Sequence, residues 1–253
     1  MKSVAIVIPA RFASTRFPGK PLVSLGSRPM IEYVYRACKE SGVAQASATI
    51  IIATDDEKIF EASKRFISGN DRVMMTPSDM RTGTDRVAWA AKDIDAEFIL
   101  DIQGDEPLLT GEIVDALAEE TVKCTPTSPV ATLVSWSEDA DEYRNTNVVK
   151  AVISKNREAL YFSRAPIPAS RTNENRKFLK HIGLYGFRKE FLLNISSLRT
   201  GYLENIESLE QLRFLENGFG MKVGIVEAEL MGVDTPSQAG MAEDILRKRG
   251  KLL

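Results

Sequence analysis

The sequence predicts an α/β fold: a mostly parallel sheet with helices on both faces, extended by a smaller mixed lobe. Three observations carry this. Short apolar runs alternate with amphipathic stretches through the first 125 residues, with brief connections. Beyond about residue 125 the apolar runs shorten and the helical spacing between them thins out. The chain has 253 residues, 43% hydrophobic and 27% charged, enough for one large domain with a modest lobe.

The elements follow in order. Val4–Ile8 is a strand stopped by Pro9, and Pro29–Glu40 is a helix with Met30, Ile31, Val34 and Ala37 at helical spacing. Ala48–Ala53 is the next strand. Asp55 or Asp56 then caps a helix through Ile59 and Phe60. Arg72–Met75 is a short strand, Thr84–Ile94 a helix with Val87, Ala88 and Ala91 on one face, and Phe98–Ile102 a strand. Thr110 caps a helix through Ile113, Leu117 and Val122. Strands are expected at Val130–Val134, Val148–Ile153, Ala159–Phe162 and Ile182–Tyr185. One helix through Ile206, Leu209, Leu212 and Leu215 comes next, then a strand at Val223–Val226 and a helix at Pro236–Lys248.

A formal net charge of -2 argues against a nucleic-acid or membrane-surface protein, so any basic site is local. Cys38 and Cys124 have no metal or redox spacing and read as reduced thiols. With no apolar stretch of about 18 residues and no signal-peptide pattern, the expected location is the cytoplasm.

Chemistry concentrates in a few segments. After Ile8 comes a loop bearing Arg11, Arg16 and Lys20 among small and hydroxyl residues, and no acid precedes Glu32. Such a loop suits a polyphosphate, although it has neither of the common glycine-loop spacings. Ligands of parallel sheets bind beyond the strands' carboxyl ends, so this loop and the segment after Ile102 share one mouth. There, in Gln103-Gly104-Asp105-Glu106-Pro107, Asp105 is either a Mg2+ ligand or a turn former. Asp234, in Gly232-Val233-Asp234-Thr235-Pro236, is either a second metal carboxylate or the cap of the last helix. Met80-Arg81-Thr82-Gly83-Thr84-Asp85-Arg86 opens a helix at Thr82 or Thr84, suited either to a base or anion or to plain solvent. His181, the only histidine, alternates onto the face of Gly183 and Tyr185, as a structural group or as part of a sugar pocket. Arg164 stands at a strand end, suited to a carboxylate. Glu207 and Gln211, four apart, share a helix face that is either functional or solvated.

Together the segments IPARFASTRFPGKPL, ATDDE, TGTDR, IQGDEP, ALYFSRAPIP, HIGLYGFR, IESLEQLR and GVDTP resemble the cytidylyltransferases that activate 3-deoxy-manno-octulosonate, over nearly the whole chain. The resemblance implies a nucleotide-diphospho-sugar transferase-like fold, with residues 1–125 and 220–253 as nucleotide and metal core and about 126–219 as a sugar-binding and dimerisation lobe. It implies Mg2+-dependent transfer of CMP from CTP to the sugar acid for lipopolysaccharide synthesis, by a homodimer. Carried over by position, Ala10, Arg11, Ser14, Arg16, Lys20, Thr82, Gly83, Thr84 and Arg86 fall to CTP, with Arg16 and Lys20 also catalytic. Asp105 and Asp234 fall to the metal, and Gln103, Arg164, His181, Tyr185, Glu207 and Gln211 to the sugar. Met80 stands where the family usually has His, which removes a polar group. The alternatives are the same reaction on 8-amino-3,8-dideoxy-octulosonate or a sialic acid, or a non-catalytic nucleotide binder.

Overall fold

The computed structural model describes residues 3–13, 17–80, 82–171 and 177–253. Ser14, Arg16 and Arg81, three residues of the sequence argument, lie outside them.

In chain order the strands are β1 (Val4–Ala10), β2 (Ser24–Leu25), β3 (Arg28–Pro29), β4 (Ile50–Thr54), β5 (Arg72–Met75), β6 (Phe98–Asp101), β7 (Val130–Ser137), β8 (Lys150–Ile153), β9 (Ala159–Ser163), β10 (Phe178–Arg188) and β11 (Met221–Val226). The helices are α1 (Met30–Glu40), α2 (Gly42–Ala46), α3 (Glu57–Ser63), α4 (Gly83–Ala91), α5 (Gly111–Thr121), α6 (Ala140–Arg144), α7 (Lys189–Leu193), α8 (Tyr202–Glu207), α9 (Leu212–Glu216) and α10 (Pro236–Lys248). No described helix is long and apolar enough to cross a membrane.

The main sheet runs β11-β7-β10-β6-β1-β4-β5, with the β8–β9 hairpin attached at the start of β10. β6, β1, β4 and β5 are parallel, and β11 is parallel to β7. β10 runs against its neighbours β6, β7 and β8, and β8 and β9 are antiparallel to each other. Part of the 126–219 segment, β7 and β10, therefore lies inside the main sheet rather than beside it.

Alternation sends successive strand residues to opposite faces. Ile6, Ile8, Ile50, Ile52 and Leu100 pack beneath α1 and α5, against Ile31, Val34, Val114 and Leu117. Val7, Ile51, Ala53 and Ile99 pack beneath α4 and the helices after β10, against Val87, Ala90, Leu192, Leu212 and Phe214. Each fully buried Val, Ile, Leu or Phe among them contributes about 1.5–3 kcal/mol, so the two-faced burial of β1 anchors the sheet.

Several expectations need correction. The single helix through Ile206–Leu215 is two short ones, because Ser208 takes a left-handed φ of 50° that a helix cannot propagate. Glu207 ends α8 and Gln211 precedes α9, so the pair does not share a helix face. Thr110 occupies the cap position of α5 without a capping side-chain bond. The expected cap of α3 is present, and of its two candidates Asp56 serves, accepting from the Lys58 and Ile59 amides. The strand at Ile182–Tyr185 extends to Phe178–Arg188, since pairing with β7 on one side and β8 on the other carries the ladder through polar Lys180.

Candidate active site

The parallel strands deliver their carboxyl ends to one mouth, as the strand-end rule requires. Pro9, Ala10 and Arg11 leave β1, and Gln103, Gly104 and Asp105 leave β6. Gly83 and Arg86 come from the start of α4, Lys20 from the loop after β1, and Asp234 from the approach to α10. All of them line one cavity of about 150 Å3. Gly104 is required by close approach: a Cβ there would stand 3.0 Å from the Pro9 carbonyl oxygen.

The decisive contact spans the chain. The Lys20 ammonium donates to Asp105 Oδ2 and, at 3.0 Å, to Asp234 Oδ1. Burial alone would lower the Lys20 pKa, but the two carboxylates, Asp105 foremost, more than offset it and raise it. The Val233 amide donates to the Asp105 carbonyl at 2.9 Å and fastens the two segments. Thr235, not Asp234, caps α10 through Gln238 N, so the Asp234 carboxylate is committed to the mouth. Asp105 likewise turns its side chain to Lys20 rather than to its own turn.

At the start of α4, Thr82 is the cap, in a reciprocal capping box with Asp85. Its hydroxyl also donates to Glu210 Oε1, and the Thr84 hydroxyl donates to Glu210 Oε2, each at 3.1 Å. Arg86 is buried. Its guanidinium pairs with Asp55 at 2.7 Å and bonds Thr76, tying the ends of β4 and β5 to α4 at the cavity wall.

Beside the mouth is an acidic layer that sequence reasoning missed. Asp101 ends β6 fully buried, accepts from Gln103 Nε2 at 2.6 Å, and leaves Oδ2 without a partner among the described residues. Burial, then the nearby Glu210 charge, pushes its pKa well above the carboxylate range. Burial likewise raises Glu210. Glu106, half-buried next to Asp105, has its pKa pushed up to about 8 by loss of water and by the Asp105 charge. An acid inside the apolar run Phe98–Ile102 was the signal for Asp101. Glu210 had none, because the helix reading hid its position.

A second cavity, of about 430 Å3, adjoins the first through Asp234, and Glu106, Lys180 and His181 are among its lining residues. His181 and Tyr185 share a strand face, as expected, with ring centres 5.6 Å apart. Burial lowers the His181 pKa to about 3. Arg164, Glu207 and Gln211 line neither cavity. Arg164 donates to the carbonyls of Glu207, Thr146 and Ser208, while the Glu207 carboxylate accepts from the Ser163 hydroxyl and the Arg164 amide. These contacts tie the end of β9 to α8.

A cytidylyltransferase family profile matches residues 5–227. Named 3-deoxy-manno-octulosonate cytidylyltransferases are similar over almost the full length. That of Solibacter usitatus is 46% identical over 231 residues, covering 91% of this chain and 89% of that protein. That of Chloroherpeton thalassium is 40% identical over 254 residues, covering 99% and 100%. The chain belongs to the 3-deoxy-manno-octulosonate cytidylyltransferase family. A solved structure, a CMP:2-keto-3-deoxy-manno-octonic acid synthetase complexed with CTP, superposes with a TM-score of 0.90 at 35% identity, covering 98% of this chain and 100% of that one. Membership makes this protein a nucleotidyltransferase of α/β architecture, which agrees with the mixed sheet and its smaller lobe.

The family implies Mg2+, and the donor set at the mouth fits it. Among the described residues no three His, Cys, Asp or Glu side chains gather as a metal cage. Two carboxylates that already converge on one cation supply the charge, and Mg2+ characteristically keeps its remaining positions for water and phosphate oxygens.

Proposed function

We propose that the protein transfers CMP from CTP to the anomeric hydroxyl of 3-deoxy-manno-octulosonate, releasing pyrophosphate. The observation that carries this is the meeting of Lys20, Asp105 and Asp234 in a cavity also lined by Arg11, at the carboxyl end of β1. The hydroxyl oxygen bonds to the α-phosphorus, the bond from that phosphorus to the β-phosphate oxygen breaks, and the hydroxyl proton passes to water. Asp105 and Asp234 would hold Mg2+, which when bound neutralises phosphate oxygens and acidifies a coordinated hydroxyl. Arg11 and Lys20 place positive charge where the triphosphate enters, and Lys20 takes up charge growing on the departing pyrophosphate. Positioning supplies most of the acceleration in such transfers. The cavity beyond Asp234, with His181 and Lys180, is the sugar-acid side.

The test is pyrophosphate release from CTP with 3-deoxy-manno-octulosonate, its 8-amino analogue and a sialic acid as acceptors. Release with the first, abolished by a chelator and restored by Mg2+, is expected. Absence of release with every acceptor refutes the reading.

We also propose that the protein works as a homodimer. Leu160 on β9 and Tyr202 and Ile206 on α8 are 60%, 72% and 67% exposed. The Ser163–Glu207 and Arg164–Glu207 bonds join the end of β9 to α8, and these exposed apolar side chains on the joined elements suit contact with a second copy. Sedimentation equilibrium is expected to give the mass of two chains, and Ile206→Glu the mass of one. A monomeric unsubstituted protein removes the proposal.

A further inference from the structure

The one histidine of the chain is held by a residue that no motif announced. Thr132, in β7, is fully buried. Its Oγ1 has three polar neighbours: His181 Nε2 at 2.9 Å, the Leu184 carbonyl at 2.8 Å and the Ile182 carbonyl at 3.2 Å. Both carbonyls belong to the stretch of β10 where pairing with β7 slips between Ile182 and Tyr185. Those residues bulge, and the hydroxyl fills the gap in the ladder.

A hydroxyl has one proton, and a carbonyl only accepts. If the Thr132 proton turned to Nε2, both carbonyls would lose this donor, and a buried acceptor that loses a donor is disfavoured. With the proton on the nearer carbonyl, that of Leu184, the same oxygen accepts from Nε2–H, so the hydroxyl donates once and accepts once. The ring adapts because it is neutral: burial holds its pKa near 3, so a single proton resides on one nitrogen. Phe162 packs edge-on at 4.8 Å and Tyr185 at 5.6 Å, which fixes the ring plane. No described residue hydrogen-bonds Nδ1, yet Nδ1 is absent from the buried polar atoms left without a partner, so it opens on the cavity that His181 lines.

The geometry points to Thr132 as a positioning residue: its hydroxyl locks His181 as the Nε2–H tautomer and presents Nδ1 as a fixed acceptor for a hydroxyl of the sugar acid. This rests on the proposed function for its ligand, but not for the tautomer. A nitrogen held this way meets the acceptor substrate by accepting a hydrogen bond from it.

The test uses the intact enzyme labelled with 15N-histidine, which gives one imidazole pair because the chain has one histidine. At neutral pH Nε2 is expected in the protonated range and Nδ1 in the unprotonated range. Adding 3-deoxy-manno-octulosonate alone should shift Nδ1 and leave Nε2 in place. In Thr132→Val the Nε2–H form loses its dominance, and the KM for the sugar acid rises about tenfold while kcat and the KM for CTP stay within roughly twofold. Thr132→Ser restores both. Nδ1–H in the unsubstituted enzyme, or an unchanged tautomer in Thr132→Val, overturns the lock. An Nδ1 resonance indifferent to the sugar acid overturns its role as acceptor. If Thr132→Val does not fold, the unsubstituted enzyme and Thr132→Ser decide. Failure of the proposed function appears separately, as absent pyrophosphate release in the unsubstituted enzyme.

Discussion

Asp105→Asn is expected to lower turnover about a thousandfold at saturating CTP and sugar acid, while the protein stays folded. The amide nearly matches the carboxylate in shape and its oxygen still accepts from the Lys20 ammonium, so the β6–α10 junction survives. What disappears is one of two negative charges that converge on a single cationic position. Removing one preorganised electrostatic group from such a site costs about 100- to 1000-fold in rate, and Asp105 sits at the upper end because it balances Lys20 and, in the proposed function, would also balance Mg2+. A thousandfold is about 4 kcal/mol of transition-state stabilisation. The fold loses less: the Lys20–Asp105 pair is part-exposed, at 15% and 26%, so its removal costs on the order of 1 kcal/mol. Single-turnover pyrophosphate release alongside thermal unfolding separates the two effects. Turnover within tenfold of normal would take Asp105 out of the machinery, and with it the shared-cation reading of the mouth.

Legibility in the sequence followed burial. β1, β4 and β6 lie inside the sheet with both faces covered, so their apolar runs were continuous and readable. Arg72–Met75 and Pro236–Lys248 appear with the bounds expected, the latter because Thr235 and Pro236 together mark a helix start. Periodicity misled after Tyr202. Leu209 and Leu212 are buried and Leu215 packs against the same core, but spacing carries no information about the sign of φ at Ser208. That break moved Gln211 off the face of Glu207 and concealed Glu210, whose carboxylate holds Thr82 and Thr84 from 128 and 126 residues away. The strand-end rule located the mouth because it depends only on strand direction. The Lys20 bridge was beyond it: contacts across 85 and 214 residues are products of packing, as is the Thr132–His181 contact across 49. Short helices such as α2, α6 and α7 escaped because five residues do not complete a recognisable apolar stripe.

The second large effect concerns the platform beneath the site. Gly186→Ala is expected to destabilise the protein by about 3 kcal/mol or more, the upper range for overpacking a core. Gly186 lies in β10, paired to Leu100 of β6 on one side and Ala131 of β7 on the other, and α5 crosses it. A Cβ there would fall 1.7 Å from Thr121 Oγ1 and 2.8 Å from Thr121 Cβ and Cγ2. Thr121 cannot swing away cheaply: it is fully buried, and its hydroxyl donates to the Leu117 carbonyl at 2.6 Å within α5. Relief therefore requires α5 to lift or β10 to move, and β10 carries Tyr185 one residue away and His181 five residues away. For a chain of this length 3 kcal/mol corresponds to a fall of roughly 6–12 °C in midpoint, which calorimetry resolves. Thr121→Ala removes the two nearest branch atoms, so the double variant should recover part of the loss, a coupling of opposite sign to simple additivity. An unchanged midpoint in Gly186→Ala would mean that α5 does not press on the sheet here. The clamp that holds β10, and with it the His181 wall of the second cavity, would then have to lie elsewhere.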